Sequence, residues 1–255
     1  MYQACYFQLA AIHDRCLYGR VLFFSLILFS KITVYAQVVG NEKENYKIVR
    51  INDQQWMLEN LNVVTFRNGD SIPQAVSDEA WVTAGNEGRP AWCYYENKME
   101  NGIQYGKLYN WYAVNDARGL APKGWHIPTD KEWSMTTLFL GGEDAAGTKM
   151  KSSKGWQLKG DHNNEALKES LPVQEKSDSD GYGNGTNESG FTGLPAGSRD
   201  RFGKFEYIGH VTYWWTATVF DAEFAWYRAI DETPWYVYRT SYYKQNGYSV
   251  RCIKD

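Results

Sequence analysis

The chain has 255 residues, 43% of them hydrophobic, which is enough for one large domain with a real core. Its 27 Lys and Arg against 30 Asp and Glu leave a formal net charge of -3, which gives no electrostatic reason to bind nucleic acid or an anionic membrane. Aromatic residues make up 16%, with 11 Trp and 19 Tyr, so flat amphipathic contact surfaces can be built.

Residues 1–36 read as an export signal. Arg15 and Arg20 precede the apolar run VLFFSLILFS, Lys31 interrupts it, and Val34 and Ala36 place small residues at the two positions that govern cleavage before Gln37. The run is short of the ~20 residues of a membrane span. The mature chain is expected to start at Gln37, without a membrane span; an uncleaved N-terminal anchor is the alternative. Residues 37–45 read as a polar linker and 46–255 as a single domain.

Removing the signal removes Cys5 and Cys16 and leaves Cys93 and Cys252. For an exported chain this points to one disulfide, closing a loop long enough to contribute about 5 kcal/mol by chain entropy; two buried free thiols are the alternative. No CxxC or HxxxH spacing accompanies them, so zinc is not expected.

The domain opens on YKIVRINDQQWMLENLNV, where Asn52-Asp53 punctuates two apolar runs and predicts a hairpin. The run AWCYY, 91–95, predicts a buried strand, and the apolar spacing of YGKLYNWYAVNDA predicts a helix over 105–117. In GWHIPTDKEW, Thr129 and Glu132 form a capping box for a second helix from 130 to about 140, which Gly141-Gly142 ends. That reading leaves His126 alone, a structural histidine with no triad or metal partners nearby in sequence.

Within 143–190, a long surface loop is expected. Asp178, Asp180, Asn184, Asn187 and Glu188 there offer oxygen ligands at short spacing beside glycines, as a structural calcium site would, although the full EF-hand pattern is missing. No other cofactor motif is present. The last third alternates aromatic and polar residues, as in FGKFEYIGHVTYWWTATVF and WYVYRTSYY, and predicts antiparallel strands with short turns.

Several blocks in order, YGKLYNWYAVND, LAPKGWHIPTDKEW, NESGFTGLPAGSRD, YWWTAT, AWYRAI and NGYSVRCIKD, resemble the Fibrobacter succinogenes major paralogous domain family of secreted and surface proteins of Bacteroidetes. The resemblance covers about 46–255. That family is similar to the C-type lectin-like superfamily, which implies an α+β fold: two helices packed on short antiparallel strands with long irregular loops, and a last strand whose Cys252 would tie to Cys93. A PT-x-x-EW helix start also resembles the formylglycine-generating sulfatase-modifying enzymes. Those work through a pair of reactive cysteines in the C-terminal region, where this chain has Cys252 alone, so their activity is not carried over.

The function expected is a secreted or outer-surface recognition module without catalysis, binding carbohydrate through exposed aromatics. The candidate ligand residues are Trp214, Trp215, Trp235 and Tyr236, with Arg199 and Arg228 beside them. Strand alternation predicts that one of Trp214 and Trp215 points outward, while Trp226 is expected in the core. The Glu-Pro-Asn, Gln-Pro-Asp and Trp-Asn-Asp runs of calcium-dependent sugar-binding lectins do not occur. The first alternative is a structural or adhesive domain that docks a surface protein on the same aromatic face. A hydrolase or modifying enzyme, drawing paired carboxylates from Asp221, Glu223, Asp231 and Glu232, is the weaker one because no nucleophile motif accompanies them.

Overall fold

The computed structural model describes residues 39–40, 46–157, 183–233 and 235–255. The export signal and the calcium candidates Asp178 and Asp180 lie outside the described residues. All described residues belong to one compact unit, Val34–Asp255.

Strand β1 (Val39–Gly40) pairs β2 (Lys47–Ile51), and β2 turns back into β3 (Gln54–Met57) as the predicted opening hairpin. Asn52 makes the turn at φ 54°, a left-handed conformation that Asn tolerates. Where a linker was expected, Val39 and Gly40 thus add an edge strand. Helix α1 (Asp78–Asn86), unexpected from the sequence, starts where the Ser77 side chain accepts from the Ala80 N–H. It leads to β4 (Trp92–Cys93), a 3-10 turn at Tyr95–Asn97, and α2 (Met99–Tyr105).

The single helix predicted over 105–117 does not form. Gly106, at φ 79°, ends α2; Leu108–Tyr109 become β5 and pair with β4; and Asn110 caps the one-turn helix α3 (Trp111–Val114) by accepting from the Ala113 N–H. Of the helically spaced positions Leu108 and Trp111 are buried, but Tyr112 is half-buried and Asn115 exposed, and the backbone of Leu108–Tyr109 pairs with β4 instead.

After β6 (Trp125–His126), helix α4 (Asp130–Phe139) carries the predicted capping box. The Thr129 hydroxyl accepts from the Glu132 N–H at 3.3 Å, and the Glu132 carboxylate accepts from the Thr129 N–H at 2.7 Å. Gly141 and Gly142, both at positive φ, end the helix and start α5 (Glu143–Met150), which occupies ground expected to be loop. Five helices are therefore described where two were expected.

The second sheet is built from β7 (Ala196–Arg199), β8 (Phe205–Ile208), β9 (Thr212–Val219), β10 (Phe224–Ile230) and β11 (Tyr238–Tyr243), in the spatial order β11-β10-β9-β7-β8. Finally β12 (Ile253–Lys254) returns to the first sheet between β3 and β6, so both ends of the domain share one sheet. Mixed α and β elements with short strands fit the α+β class.

The predicted disulfide is not present: Cys93 and Cys252 are buried free thiols. The reason is strand alternation. In the β4–β5 ribbon Cys93 faces with Leu108 into one cluster beside Trp81 and Ala84, whereas Trp92 and Tyr109 face the cluster that holds Cys252. Backbone bonds hold the last strand instead, with the Met57 N–H donating to the Cys252 carbonyl at 2.9 Å and the Leu61 N–H to the Val250 carbonyl at 2.7 Å. Burial pushes the Cys93 thiol up to about 12 and raises Cys252 further, so neither forms thiolate at neutral pH. In the native protein both cysteines are expected to resist a thiol-specific reagent and both to react after denaturation, with a melting temperature indifferent to reductant. Peptide mass spectrometry of the labelled sites checks this, and a reductant-sensitive melting temperature would restore the disulfide.

The aromatic wealth is mostly spent inside. Trp56, Trp133, Phe191 and Trp214 form one interlocked cluster, with Trp56 and Trp133 ring centroids 4.6 Å apart. Rings also line the seats of buried cations: Lys107 lies over Trp92 and Tyr94 at 4.6 and 4.8 Å, and Lys244 lies 5.0 Å over Trp111 while donating to the Asp221 and Ala222 carbonyls.

Candidate functional site

One face of the second sheet forms a cleft of about 420 Å³. Alternation and register create it. On β9 and β10, Tyr213, Trp215 and Tyr227 share a face, and Tyr213 and Tyr242 stand opposite Ala229 and Ala225, whose small side chains leave room between the rings. Tyr248, held by reciprocal backbone bonds with Tyr109, stacks on Tyr213 at 4.7 Å with planes 14° apart. Tyr227 meets Tyr248 at 5.1 Å, and Trp215 backs the group from 4.4 Å.

The rim comes from the β7–β8 turn, from β8 and from β11: Phe202, Tyr207 and Tyr242 are exposed there. Asp200 makes the turn, its Oδ1 accepting from the Phe202 and Lys204 N–H groups at 2.9 and 2.7 Å. Arg201 spreads its guanidinium over Phe202 and Tyr243, at 4.7 and 4.0 Å. Tyr207 holds φ 66°, a left-handed conformation that costs a bulky residue energy and that tends to occur at functional sites.

Burial raises the phenols of Tyr213 and Tyr248 well above their ordinary range and brings Tyr227 to about 12. All three stay neutral hydroxyls that can both donate and accept. Asn246 is 4% exposed and forms part of the wall; its Nδ2 donates to the Tyr248 hydroxyl at 3.2 Å, and its Oδ1 has no hydrogen-bond partner. A buried acceptor without a donor is unusual.

A family model, the Fibrobacter succinogenes major domain, matches residues 49–254. The chain belongs to that family. Neither a curated protein nor a solved structure matches it. In this Fibrobacter succinogenes major domain, none of the residues singled out from sequence as ligand contacts lines the cleft. Trp214 and Trp215 are both fully buried, against the expectation that one would face solvent. Strand β9 is covered on both sides, so Trp214 enters the cluster of Trp133 and Phe191 while Trp215 enters the one containing Tyr109 and Tyr248. Their indole N–H groups are satisfied inside, by Asn60 Oδ1 and by the Tyr109 carbonyl, each at 2.9 Å.

Arg199 and Arg228 are buried anchors, not surface contacts. Arg199 donates to the Gly203 and Ala75 carbonyls and to Asp78; Arg228 donates to Asp130 at 2.7 Å and to Ser134 at 2.9 Å. Trp235 is half exposed and Tyr236 packs edge-on against Tyr238 outside the cleft. Trp226, expected in the core, is half-buried, with Arg239 lying 4.2 Å over its ring.

Of the described part of the predicted calcium set, the Asn184 and Asn187 side chains are engaged in loop architecture, and Glu188 takes part through its backbone. Asn184 Oδ1 accepts from the Trp156 N–H, Asn187 bonds Thr192 through both ends of its amide, and the Glu188 N–H donates to Thr186. Among the described residues no group of three or more His, Cys, Asp or Glu could hold a metal. His126 has carboxylates at both nitrogens, Asp255 at 2.7 Å and Glu132 at 3.1 Å. Since Glu132 also closes the helix cap, the imidazole ties the last residue of the chain to α4.

The cleft tyrosines were in plain sight in the sequence. Tyr213 and Trp215, then Ala225, Tyr227 and Ala229, follow the period of two that marks one strand face.

Proposed function

We propose that this domain is a non-catalytic recognition module of C-type lectin-like fold, exported to the cell surface or beyond, that binds carbohydrate in the tyrosine-lined cleft. The observation that carries the reading is the cleft itself: five tyrosines surround a space in the size range of small-molecule sites, with Asn246, Ser198, Asp200 and Glu206 among them. Tyrosine rings offer faces to the C–H side of a sugar ring, and neutral phenols and an amide hydrogen-bond its hydroxyls. The export signal read in residues 1–36 supports the location. Among the described residues no helix is long and apolar enough to cross a membrane.

A glycan-array screen of the full chain, with and without chelator, tests the reading. A hit is expected whose affinity falls by about tenfold in Tyr242→Ala, an exposed rim substitution equivalent to ~1.4 kcal/mol of lost stacking, and which chelator leaves unchanged. Binding that survives Tyr242→Ala and Tyr207→Ala would place the ligand elsewhere. Chelator-sensitive binding would mean that a bound metal takes part.

A further inference from the structure

We infer that two copies of this chain pair through the outer edge of β11, antiparallel and about a twofold axis at Ser241, so that the second sheet runs on from one copy into the other. Strand β11 ends its sheet and pairs β10 from Tyr238 to Tyr243 without a register shift. The direction of its backbone groups follows from the ladder. The Lys244 N–H donates to the Glu223 carbonyl, while the Phe224 and Trp226 carbonyls face β9, where they accept from the Phe220 N–H and the Thr216 hydroxyl. Tyr238, Thr240 and Tyr242 therefore bond inward to β10, and the N–H and C=O groups of Arg239 and Ser241, with the Tyr243 N–H, point outward. Among the described residues these outward groups have no hydrogen-bond partner.

An unpaired strand edge is a template for another strand, and folded proteins blunt it where it is not used. The other edges of the two large sheets are blunted: β1 and β6 are two residues long, and β8 carries Glu206 and the left-handed Tyr207. Strand β11 has six residues, no proline and no lysine, and its one charged side chain, Arg239, is already paired with Asp130 at 2.8 Å.

The edge is complementary to itself. With Ser241 opposite Ser241, Arg239 of each copy meets the neutral Tyr243 of the other, and every outward N–H faces a carbonyl. The two guanidinium groups then stand four residues apart along the pair, about 13 Å, beyond the ~8 Å screening length at physiological salt. A pairing centred on Arg239 would set them directly opposite, which repulsion disfavours. Opposed residues of an antiparallel pair share a face, so the two clefts open on the same side, and Thr240 of the second copy comes against Tyr242 at the cleft rim. The second copy thus adds to the rim of each cleft, and two clefts side by side bind a polymer or a surface with avidity. The pairing stands whatever the cleft binds.

Sedimentation equilibrium of the full chain over a wide range of concentrations tests the inference, and a monomer–dimer equilibrium is expected. Ser241→Pro should weaken association by about tenfold or more and leave the monomer folded, because proline is tolerated where a strand N–H points outward. Thr240→Pro, which removes an N–H aimed at β10, should instead lower the melting temperature of the monomer itself. Ser241→Lys and Ser241→Asp should each be monomeric alone, since like charges then stand directly opposite, and should associate when mixed. A monomer at every concentration overturns the inference. So does association that Ser241→Pro and Ser241→Lys leave unchanged, which would put the contact elsewhere, as in the apolar run at 21–30. Two charged variants that are each monomeric and stay so on mixing overturn the pairing at Ser241.

Discussion

Asp130→Ala is expected to destabilise the domain by about 3–5 kcal/mol, the cost of stripping one partner from a buried ion pair. Asp130 sits in the first turn of α4, where its carboxylate favours the helix dipole and receives Arg228 at 2.7 Å and Arg239 at 2.8 Å. The Arg228 side chain is fully buried, and its Nε already lacks a partner, so loss of Asp130 would leave a guanidinium charge in the core held only by neutral oxygens. For a domain of this size the melting temperature should fall by roughly 6–20 °C. Arg239→Ala, removing the outer and more exposed member, should cost about 1 kcal/mol or less. Equal losses from the two substitutions would mean that the buried charge is not what matters.

The same triad sets an acid limit. Burial alone would raise the Asp130 carboxyl, but hydrogen bonds from Arg239 and Arg228 outweigh it and hold the group below the usual carboxylate range. A depressed folded-state pKa contributes stability that is present above the unfolded value and lost as pH falls toward the folded one. Glu132, held down by the Thr129 cap and by His126 against its burial, and Asp116, held down by Arg118, act in the same direction. Stability should therefore drop below the ordinary range of carboxylate titration, with Asp130→Asn flattening part of that slope.

What could be read from sequence was what is settled within a few residues. The α4 cap closes between Thr129 and Glu132, and the β2–β3 turn at Asn52-Asp53, so neither needs the rest of the fold. Helix α1 had an equally local cap in Ser77, which the scattered Gly and Pro around it obscured. Helix α5 offered less: it tolerates Gly147 in its middle because the backbone of Trp235 packs there, the Gly147 N–H donating to the Trp235 carbonyl at 2.7 Å, and a Cβ would come within 2.6 Å of that chain. A helix interior glycine reads as a breaker until its neighbour is known.

The site was harder to read for a related reason. Whether Trp214 and Trp215 both face inward depends on how many layers cover β9, and whether Cys93 can reach Cys252 depends on which face of a ribbon each occupies. Those are properties of the assembled sheets. Counting cysteines or tryptophans cannot supply them. The shared face of Tyr213 and Tyr227, by contrast, was written in the strand periodicity of β9 and β10, whereas Tyr248 reaches the cleft only because the assembled fold bonds it to Tyr109.

Asn60→Ala is expected to be as damaging as the loss of Asp130, at about 3–5 kcal/mol, although no charge is removed. Arg251 is 1% exposed and has no carboxylate within ion-pair distance among the described residues. Its Nε and Nη2 donate to Asn60 Oδ1 at 3.1 and 2.8 Å, its Nη1 to the Phe191 carbonyl, and its guanidinium lies 4.2 Å over the Phe191 ring. The same Asn60 oxygen accepts from Trp214 at 2.9 Å, while Asn60 Nδ2 donates to the Tyr105 carbonyl and to Ser249. One amide thus joins α2, β9 and the C-terminal segment, and alanine would leave a buried cation and an indole N–H without their acceptor.

Burial pushes Arg251 down to about 9 although the Glu59 charge works against it, so the desolvated charge is the costly element of this network. Asn60→Asp separates that cost from the rest: it keeps an oxygen for Arg251 and Trp214 and adds the missing countercharge, but forfeits the donors to Tyr105 and Ser249. Chemical denaturation should rank the variants as wild type, then Asn60→Asp, then Asn60→Ala, with the aspartate protein more sensitive to acid because its new carboxylate is held ionised by Arg251. If aspartate proves no better than alanine, the amide's donors, and not the uncompensated guanidinium, hold the junction together.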